Sequence, residues 1–312
     1  MKLDRATVQD AITLIDPVFL NSPQLEMATL SETVGFKLIV KVETLNPIRS
    51  FKGRGTSYLV RLAKGEEMVC ASAGNFGQGM AYACKERNVD LTVFAAQNAN
   101  RLKVERMRAF GAEVILEGRD FDAAKETARQ YAKNKGKRFV EDAKDIETAI
   151  GAGTIALELS QYPDALDAVL VPLGNGALIN GIGAYLKSVS PLTKVIGVVA
   201  AGAPAMDLSW RQDEIITTDE ANTIADGIGV RIPVPEALEA MKVTVDDVVQ
   251  VTDEAILDAM RLAHKTLGLV LEPAGAAGLA AAKVYKEQFK GKCVATILCG
   301  SNVTEEQLKR WF

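Results

Sequence analysis

Residues 168–188 read AVLVPLGNGALINGIGAYLKS: a six-residue apolar run, a break at Gly174-Asn175-Gly176, then apolar residues at helical spacing. An uninterrupted apolar run suits a strand buried on both faces, and the glycines let it turn directly into a helix. Working outward, the same order recurs. Strand-like runs lie at 37–43 (KLIVKVE), 68–73 (MVCASA), 91–96 (LTVFAA), 112–117 (AEVILE), 194–200 (KVIGVVA) and 294–299 (VATILC). Helical periods occupy 77–88, 101–110, 121–134, 149–161 and 255–266. This alternation predicts an α/β protein with parallel strands. No internal repeat or Gly/Ser linker marks a boundary, so topology must supply one. The expectation is two interleaved domains, each with a central, mostly parallel sheet flanked by helices: residues 1–60 with 146–312 as the larger, and 61–145 as the smaller.

The 312 residues are enough for about two domains at roughly 100–200 residues each. With 48% hydrophobic and 24% charged residues, disordered and fibrous classes are excluded. The 36 Lys and Arg against 40 Asp and Glu give a net charge of −4 and no global basic field. Nucleic acid and an anionic membrane are therefore not expected as partners. The start, MKLDRATVQD, lacks the order of a signal peptide, and charges interrupt every long apolar stretch, so a cytoplasmic location is expected. Cys70, Cys84, Cys293 and Cys299 form no CxxC pair and read as reduced thiols. The single histidine, His264, excludes His-rich zinc sites and leaves any histidine-containing triad dependent on it alone. It lies within a helical pattern, as a packed or solvated residue would.

Three strand-to-helix junctions carry unusual residues, and in open parallel sheets ligands bind at the carboxyl ends of strands. They are Asn46-Pro47-Ile48-Arg49-Ser50-Phe51-Lys52-Gly53-Arg54-Gly55, Ser72-Ala73-Gly74-Asn75-Phe76-Gly77-Gln78-Gly79, and Gly174-Asn175-Gly176-Ala177-Leu178. The third lets backbone N–H groups approach an anion where the helix dipole favours negative charge. As a dinucleotide fingerprint it fails: the next glycine is Gly181, and no Asp or Glu lies between Lys187 and Gly202. Gly-Lys-Ser/Thr occurs nowhere, which disfavours a P-loop. A plain turn with capping glycines explains this loop equally well. Lys52, if it lies in a first helical turn beside Arg54, is disfavoured as an ammonium and favoured as an amine that attacks carbonyls. Taken alone it also fits a solvated lysine. Together, a carbonyl-reactive lysine and a phosphate cradle match what pyridoxal 5′-phosphate needs, an aldehyde to trap and a phosphate to anchor.

The residues resemble the fold-type II pyridoxal-phosphate enzymes, in their serine/threonine dehydratase and serine racemase branch, over nearly the whole chain. Ser50-Phe51-Lys52-Gly53-Arg54-Gly55 resembles the S-F-K-x-R-G segment, and Ser72-Ala73-Gly74-Asn75 the S-x-G-N loop. Thr223-Ile224-Ala225-Asp226-Gly227 resembles T-I-A-D-G, Glu272-Pro273-Ala274-Gly275-Ala276 the E-P-x-G-A stretch, and Cys299-Gly300-Ser301-Asn302 the S/C-G-G-N turn.

The resemblance implies that Lys52 is the Schiff-base lysine and the base that takes the substrate's Cα proton. Phe51 would pack on a face of the cofactor, Asn75 would contact its 3′-oxygen, and Gly174, Asn175, Gly176, Ala177 and Leu178 would bind phosphate. Cys299 would face the ring nitrogen and the Gly227 carbonyl would border the site; Glu272 reads equally as a carboxylate capping a helix. Ser72, Ala73, Gly74, Asn75 and Phe76 would receive the substrate. The larger domain would then bind the cofactor and the smaller would carry the substrate loop. Three departures stand out: G-N-G-A replaces four glycines in the cradle, Phe76 replaces a histidine, and Gly202 stands where racemase-like members have a metal-binding glutamate. No metal is assigned, Asp207 being the one alternative carboxylate. The chain ends ten residues after Asn302, so no regulatory domain is expected.

The implied activity is that of an ammonia-lyase, a dehydratase that converts a β-hydroxy-α-amino acid such as L-threonine or L-serine to a 2-oxo acid and ammonia. A β-replacement synthase, an amino acid racemase and a non-catalytic phosphate-ligand module are the alternatives. A homodimer is the expected assembly.

Overall fold

In the run KLIVKV, Leu38 and Val40 pack into one apolar cluster and Ile39 into another, all three fully buried. Neighbours on opposite faces are both covered, as a strand sandwiched between helical layers requires. The computed structural model describes residues 1–312 and extends this arrangement to the whole chain. Its strands are β1 (Gln24–Glu26), β2 (Lys37–Val42), β3 (Met68–Ala71), β4 (Leu91–Ala95), β5 (Glu113–Leu116), β6 (Arg138–Val140), β7 (Ala168–Pro172), β8 (Lys194–Ala200), β9 (Asp247–Val251) and β10 (Cys293–Leu298). One sheet has the order β1-β2-β10-β7-β8-β9, parallel except for the edge strand β1; the other, β5-β4-β3-β6, is parallel throughout. The chain thus leaves the first sheet after β2, builds the second, and returns at β7.

The helices are α1 (Arg5–Ala11), α2 (Ala28–Val34), α3 (Lys52–Leu62), α4 (Asn75–Glu86), α5 (Arg101–Ala109), α6 (Phe121–Lys135), α7 (Ile146–Leu159), α8 (Ala177–Val189), α9 (Ala205–Gln212), α10 (Pro235–Thr244), α11 (Asp253–Leu267), α12 (Pro273–Val284) and α13 (Glu305–Trp311). Clusters of 32 and 30 buried residues cover the two faces of the larger sheet, so neither face is left to solvent. All seven strands expected from the sequence form. Three more, β1, β6 and β9, escaped notice: two have only three residues, and DVVQV mixes polar and apolar positions. No helix is long and apolar enough to cross a membrane.

Helix α3 lies close against α7, since a Cβ at Gly55 would stand 2.6 Å from the Thr148 carbonyl oxygen. Beneath α3 the fully buried Arg54 guanidinium meets Glu43 through Nε and Nη2, each at 2.8 Å. It meets Glu158 through Nη1 and Nη2 at 2.6 and 2.9 Å, and Lys41 Nζ donates to the same carboxylate at 2.5 Å. Two cations and two carboxylates therefore share one buried network, which ties the start of α3 to β2 and α7. Buried charges persist only when paired in this way. His264 sits on α11 with its ring edge-on to Phe312 at 5.4 Å.

Candidate active site

The first junction is shaped by Asn46, whose Oδ1 accepts from Ile48 N and Ser50 N at 3.2 and 3.3 Å and whose Nδ2 donates to the Glu43 carbonyl at 2.9 Å. Such side-chain bonds to nearby backbone turn the chain without a helix or ladder. The turned segment is then laid beside the end of β10: Phe51 N donates to the Cys299 carbonyl at 3.1 Å, and Ser301 N to the Arg49 carbonyl at 3.0 Å. Since β2 and β10 are parallel neighbours, Lys52 and Cys299 are brought to the same end of the sheet.

Lys52 is the first residue of α3, with its Nζ 4.7 Å from the Phe51 ring centroid and 2.6 Å from Asp142 Oδ2. This corrects one expectation. Arg54 is not the neighbour that acts on the Lys52 charge, because its guanidinium points into the core and is neutralised by Glu43 and Glu158. The charge facing Lys52 is the Asp142 carboxylate, at the carboxyl end of β6.

At the second junction, Ser72 Oγ accepts from Gly74 N and Gly77 N at 3.1 and 3.0 Å and so closes the loop onto the start of α4. Asn75 begins that helix. Its Nδ2 donates to Glu272 Oε1 at 2.5 Å, and its Oδ1 accepts from Asn302 Nδ2 at 2.8 Å. Glu272 also accepts from Asn302 N at 3.0 Å and, although it stands at the N-cap of α12, makes no capping bond to that helix. The capping reading of Glu272 is therefore set aside in favour of a buried carboxylate that orients Asn75. Burial pushes the Glu272 carboxyl above its ordinary range. Burial, with Glu272 nearby, likewise pushes the Cys299 thiol up and keeps it neutral.

At the third junction Gly176 has φ of +102°, a left-handed conformation that favours glycine, and no side chain caps the first turn of α8. The first N–H groups of a helix have no partner within it. A Cβ at Gly174 would lie 2.7 Å from the Gly227 carbonyl oxygen, so the cradle and the 225–229 segment close on each other.

These three junctions line one cavity of about 520 Å³. Phe51, Lys52, Ser72, Ala73, Gly74, Asn75, Phe76, Gly174, Asn175, Gly176, Ala177, Leu178, Gly227, Glu272 and Cys299 all border it. So do residues to which the sequence reading gave no role: Asp142, Lys103, Asp226, Phe121, Lys125 and Arg231. Lys103 pairs with Asp226 at 2.6 Å and Arg231 with Asp122 at 2.5 Å. Asp207 is elsewhere, its two oxygens taken by Arg211 and Gln250.

A helix-borne lysine, a glycine cradle and a neutral thiol around one cavity define an α/β enzyme built to hold an anionic, carbonyl-bearing cofactor. A family model described as "Pyridoxal-phosphate dependent enzyme" matches residues 15–300. The chain belongs to that family. It is 36% identical over 287 residues to an L-threonine ammonia-lyase of Thermotoga maritima, covering 91% of this chain and 71% of the relative. It is 33% identical over 293 residues to a biosynthetic L-threonine dehydratase of Halalkalibacterium halodurans, with coverage of 91% and 71%. Among solved structures, maize serine racemase superposes with a TM-score of 0.92 at 28% identity, over 98% of this chain and 96% of that one.

The residues present suit pyridoxal phosphate. A Cβ at Gly174 or Gly176 would meet neighbouring atoms at 2.7 or 3.0 Å, and the first-turn N–H groups of α8 beside these glycines are left without a side-chain cap, as an anion needs. Cys299, held as a neutral thiol, can face an unprotonated ring nitrogen without creating an unpaired buried charge.

Proposed function

We propose that the protein is an ammonia-lyase that removes water from a β-hydroxy-α-amino acid, such as L-threonine or L-serine, to give a 2-oxo acid and ammonia. The reading is carried by Lys52, at the mouth of α3, sharing a cavity with both the Ser72–Phe76 loop and the Gly174–Leu178 cradle. The relatives named as a threonine ammonia-lyase and a threonine dehydratase support it.

When bound, the cofactor supplies an electron sink for the pair left at Cα. Phosphate would be held by Gly174, Asn175, Gly176, Ala177 and Leu178, and the ring would lie between Phe51 and the Gly227 side, with Cys299 at its nitrogen. Asn75, fixed by Glu272 and Asn302, would meet the 3′-oxygen. The N–H groups of the Ser72–Phe76 loop, at the start of α4, would receive the substrate carboxylate. Lys52 would take the Cα proton. Ala73 offers no second acid on the opposite face, so elimination is favoured over racemisation. We also take residues 1–60 and 146–312 as the cofactor domain, 61–145 as the substrate-loop domain, the assembly as a homodimer and the location as cytoplasmic.

The test is a product assay on purified, cofactor-loaded protein with L-threonine, L-serine and bulkier β-hydroxy amino acids, with no thiol added. Release of 2-oxo acid with an equal amount of ammonia supports the lyase. Product only on adding a thiol nucleophile would instead make the protein a β-replacement synthase.

A further inference from the structure

Asp142 is the acidic residue of the cavity whose only side-chain partner is the reactive lysine. The other acidic side chains there have partners of their own: Asp122 has Arg231, Asp226 has Lys103, and Glu141 has Lys125 at 3.0 Å and Arg129 at 3.2 Å. Asp120 caps α6 through Ala123 N at 2.9 Å, and Glu272 takes Asn75 and Asn302. Asp142 gives one oxygen, Oδ2, to Lys52 Nζ at 2.6 Å, while its Oδ1 is buried and has no hydrogen-bond partner in the protein. Lys52 cannot serve as its counter-charge while the same nitrogen is engaged in chemistry.

The backbone beside it is held in an unusual conformation. Ala143, a non-glycine residue, has φ of +65° and is fixed by donation of its N–H to Thr148 Oγ1 at 3.2 Å. A left-handed conformation is strained for alanine, and such strain gathers where a side chain must be aimed. Here the side chain that is aimed is Asp142, into the cavity and onto Lys52.

We propose that Asp142 selects the substrate by its side chain, accepting a hydrogen bond from a neutral or positively charged group on Cβ and rejecting a carboxylate there. Any carbon that Lys52 deprotonates must come within hydrogen-bond reach of Nζ, and Asp142 already lies within that reach. The carboxylate therefore stands at the Cα–Cβ end of the site. A β-hydroxyl can donate to Oδ2 once Lys52 Nζ leaves it, while the buried Oδ1 has no other group to neutralise it. A second carboxylate, as in 3-hydroxyaspartate, brings a like charge to a partly buried one, which opposes binding. Asp142 thus acts as a specificity residue and narrows the substrate class to uncharged β-hydroxy amino acids and their amine-bearing analogues.

The inference rests on the lyase reading, so its test needs no turnover. L-Alanine, L-asparagine and L-aspartate are titrated into the cofactor-loaded protein, and each Kd is read from the change in the cofactor's visible absorbance. In wild type, asparagine is expected to bind at least about tenfold more tightly than the isosteric aspartate. Asp142→Asn, of the same shape, should improve aspartate by about tenfold and leave alanine within about twofold. Equal binding of asparagine and aspartate to wild type would overturn the proposal. An equal shift for all three ligands in the variant would do so too, by showing that Asp142 acts only through Lys52. If no 2-oxo acid ever forms, the lyase reading fails while the charge preference is still measured.

Discussion

Ala73 presents a methyl group to the cavity between Ser72, whose hydroxyl is spent on the loop, and Gly74. Inverting Cα needs a proton donor on each side of it, and a positioned acid is worth about 10²–10⁴-fold in rate. Placing a hydroxyl there is the smallest change that supplies one. Ala73→Ser should therefore raise D-serine formation from L-serine by about a hundredfold over wild type, read by chiral chromatography. Rapid D-serine production by the unaltered protein would show that another group already serves. That Lys52 and Asn75 border one cavity was legible in the sequence because each is a fixed position of a motif at a strand-to-helix junction. Asp142 was not, since it follows a strand of only three residues, RFV, with no periodicity to orient it. Its meeting with Lys52 joins positions 90 apart in the chain. The true setting of Arg54 was hidden for the same reason: adjacency in sequence suggested that it acts on Lys52, whereas the helix turns it toward Glu43 and Glu158.

Helix α8 is the element that makes the cradle, and its effect depends on leaving the first-turn N–H groups uncapped by any side chain. A carboxylate at Asn175 would place like charge beside a phosphate at short range. Asn175→Asp is expected to weaken retention of pyridoxal phosphate by at least about tenfold, or ~1.4 kcal/mol, measured by equilibrium dialysis. Equal retention would place the phosphate elsewhere. The strand-to-helix junctions were readable because a parallel strand buried on both faces is a continuous apolar run, and glycine punctuates its end. The edge strand β1 and the outer strand β9 lack that run and were missed. Glu272 was ambiguous for a comparable reason, as a carboxylate just before a helix reads as a cap until its partners on α4 and after β10 are seen.

Across the whole molecule, the buried network of Lys41, Glu43, Arg54 and Glu158 joins the larger sheet to the helix that carries Lys52. Removing one partner from such a network leaves an uncompensated buried charge and costs about 3–5 kcal/mol. Arg54→Met should lose stability of that order in urea unfolding. Burial raises the Glu158 carboxyl, but Arg54 and Lys41 outweigh it and hold it below the ordinary carboxylate range. A depressed folded value means that the stabilisation is present above the unfolded pKa of about 4.3 and is lost as pH falls through the folded one. Melting curves from neutral to acid pH should therefore show a fall below about pH 4–5 that is weaker in Glu158→Gln, which starts from a lower Tm.

The alternation of strands and helices disclosed the parallel sheets, while their order, with β10 between β2 and β7, depends on contacts between the two ends of the chain. That order brings Cys299 beside Lys52. It also leaves three lysines on one cavity, Lys52, Lys103 and Lys125, of which Lys52 is proposed to hold the cofactor. Reduction of the cofactor-loaded protein with borohydride, followed by peptide mass spectrometry, fixes the cofactor on whichever lysine holds it. The label is expected on the peptide containing Lys52, with none in Lys52→Ala; a label on Lys103 or Lys125 in the wild-type protein would show that another lysine holds the cofactor.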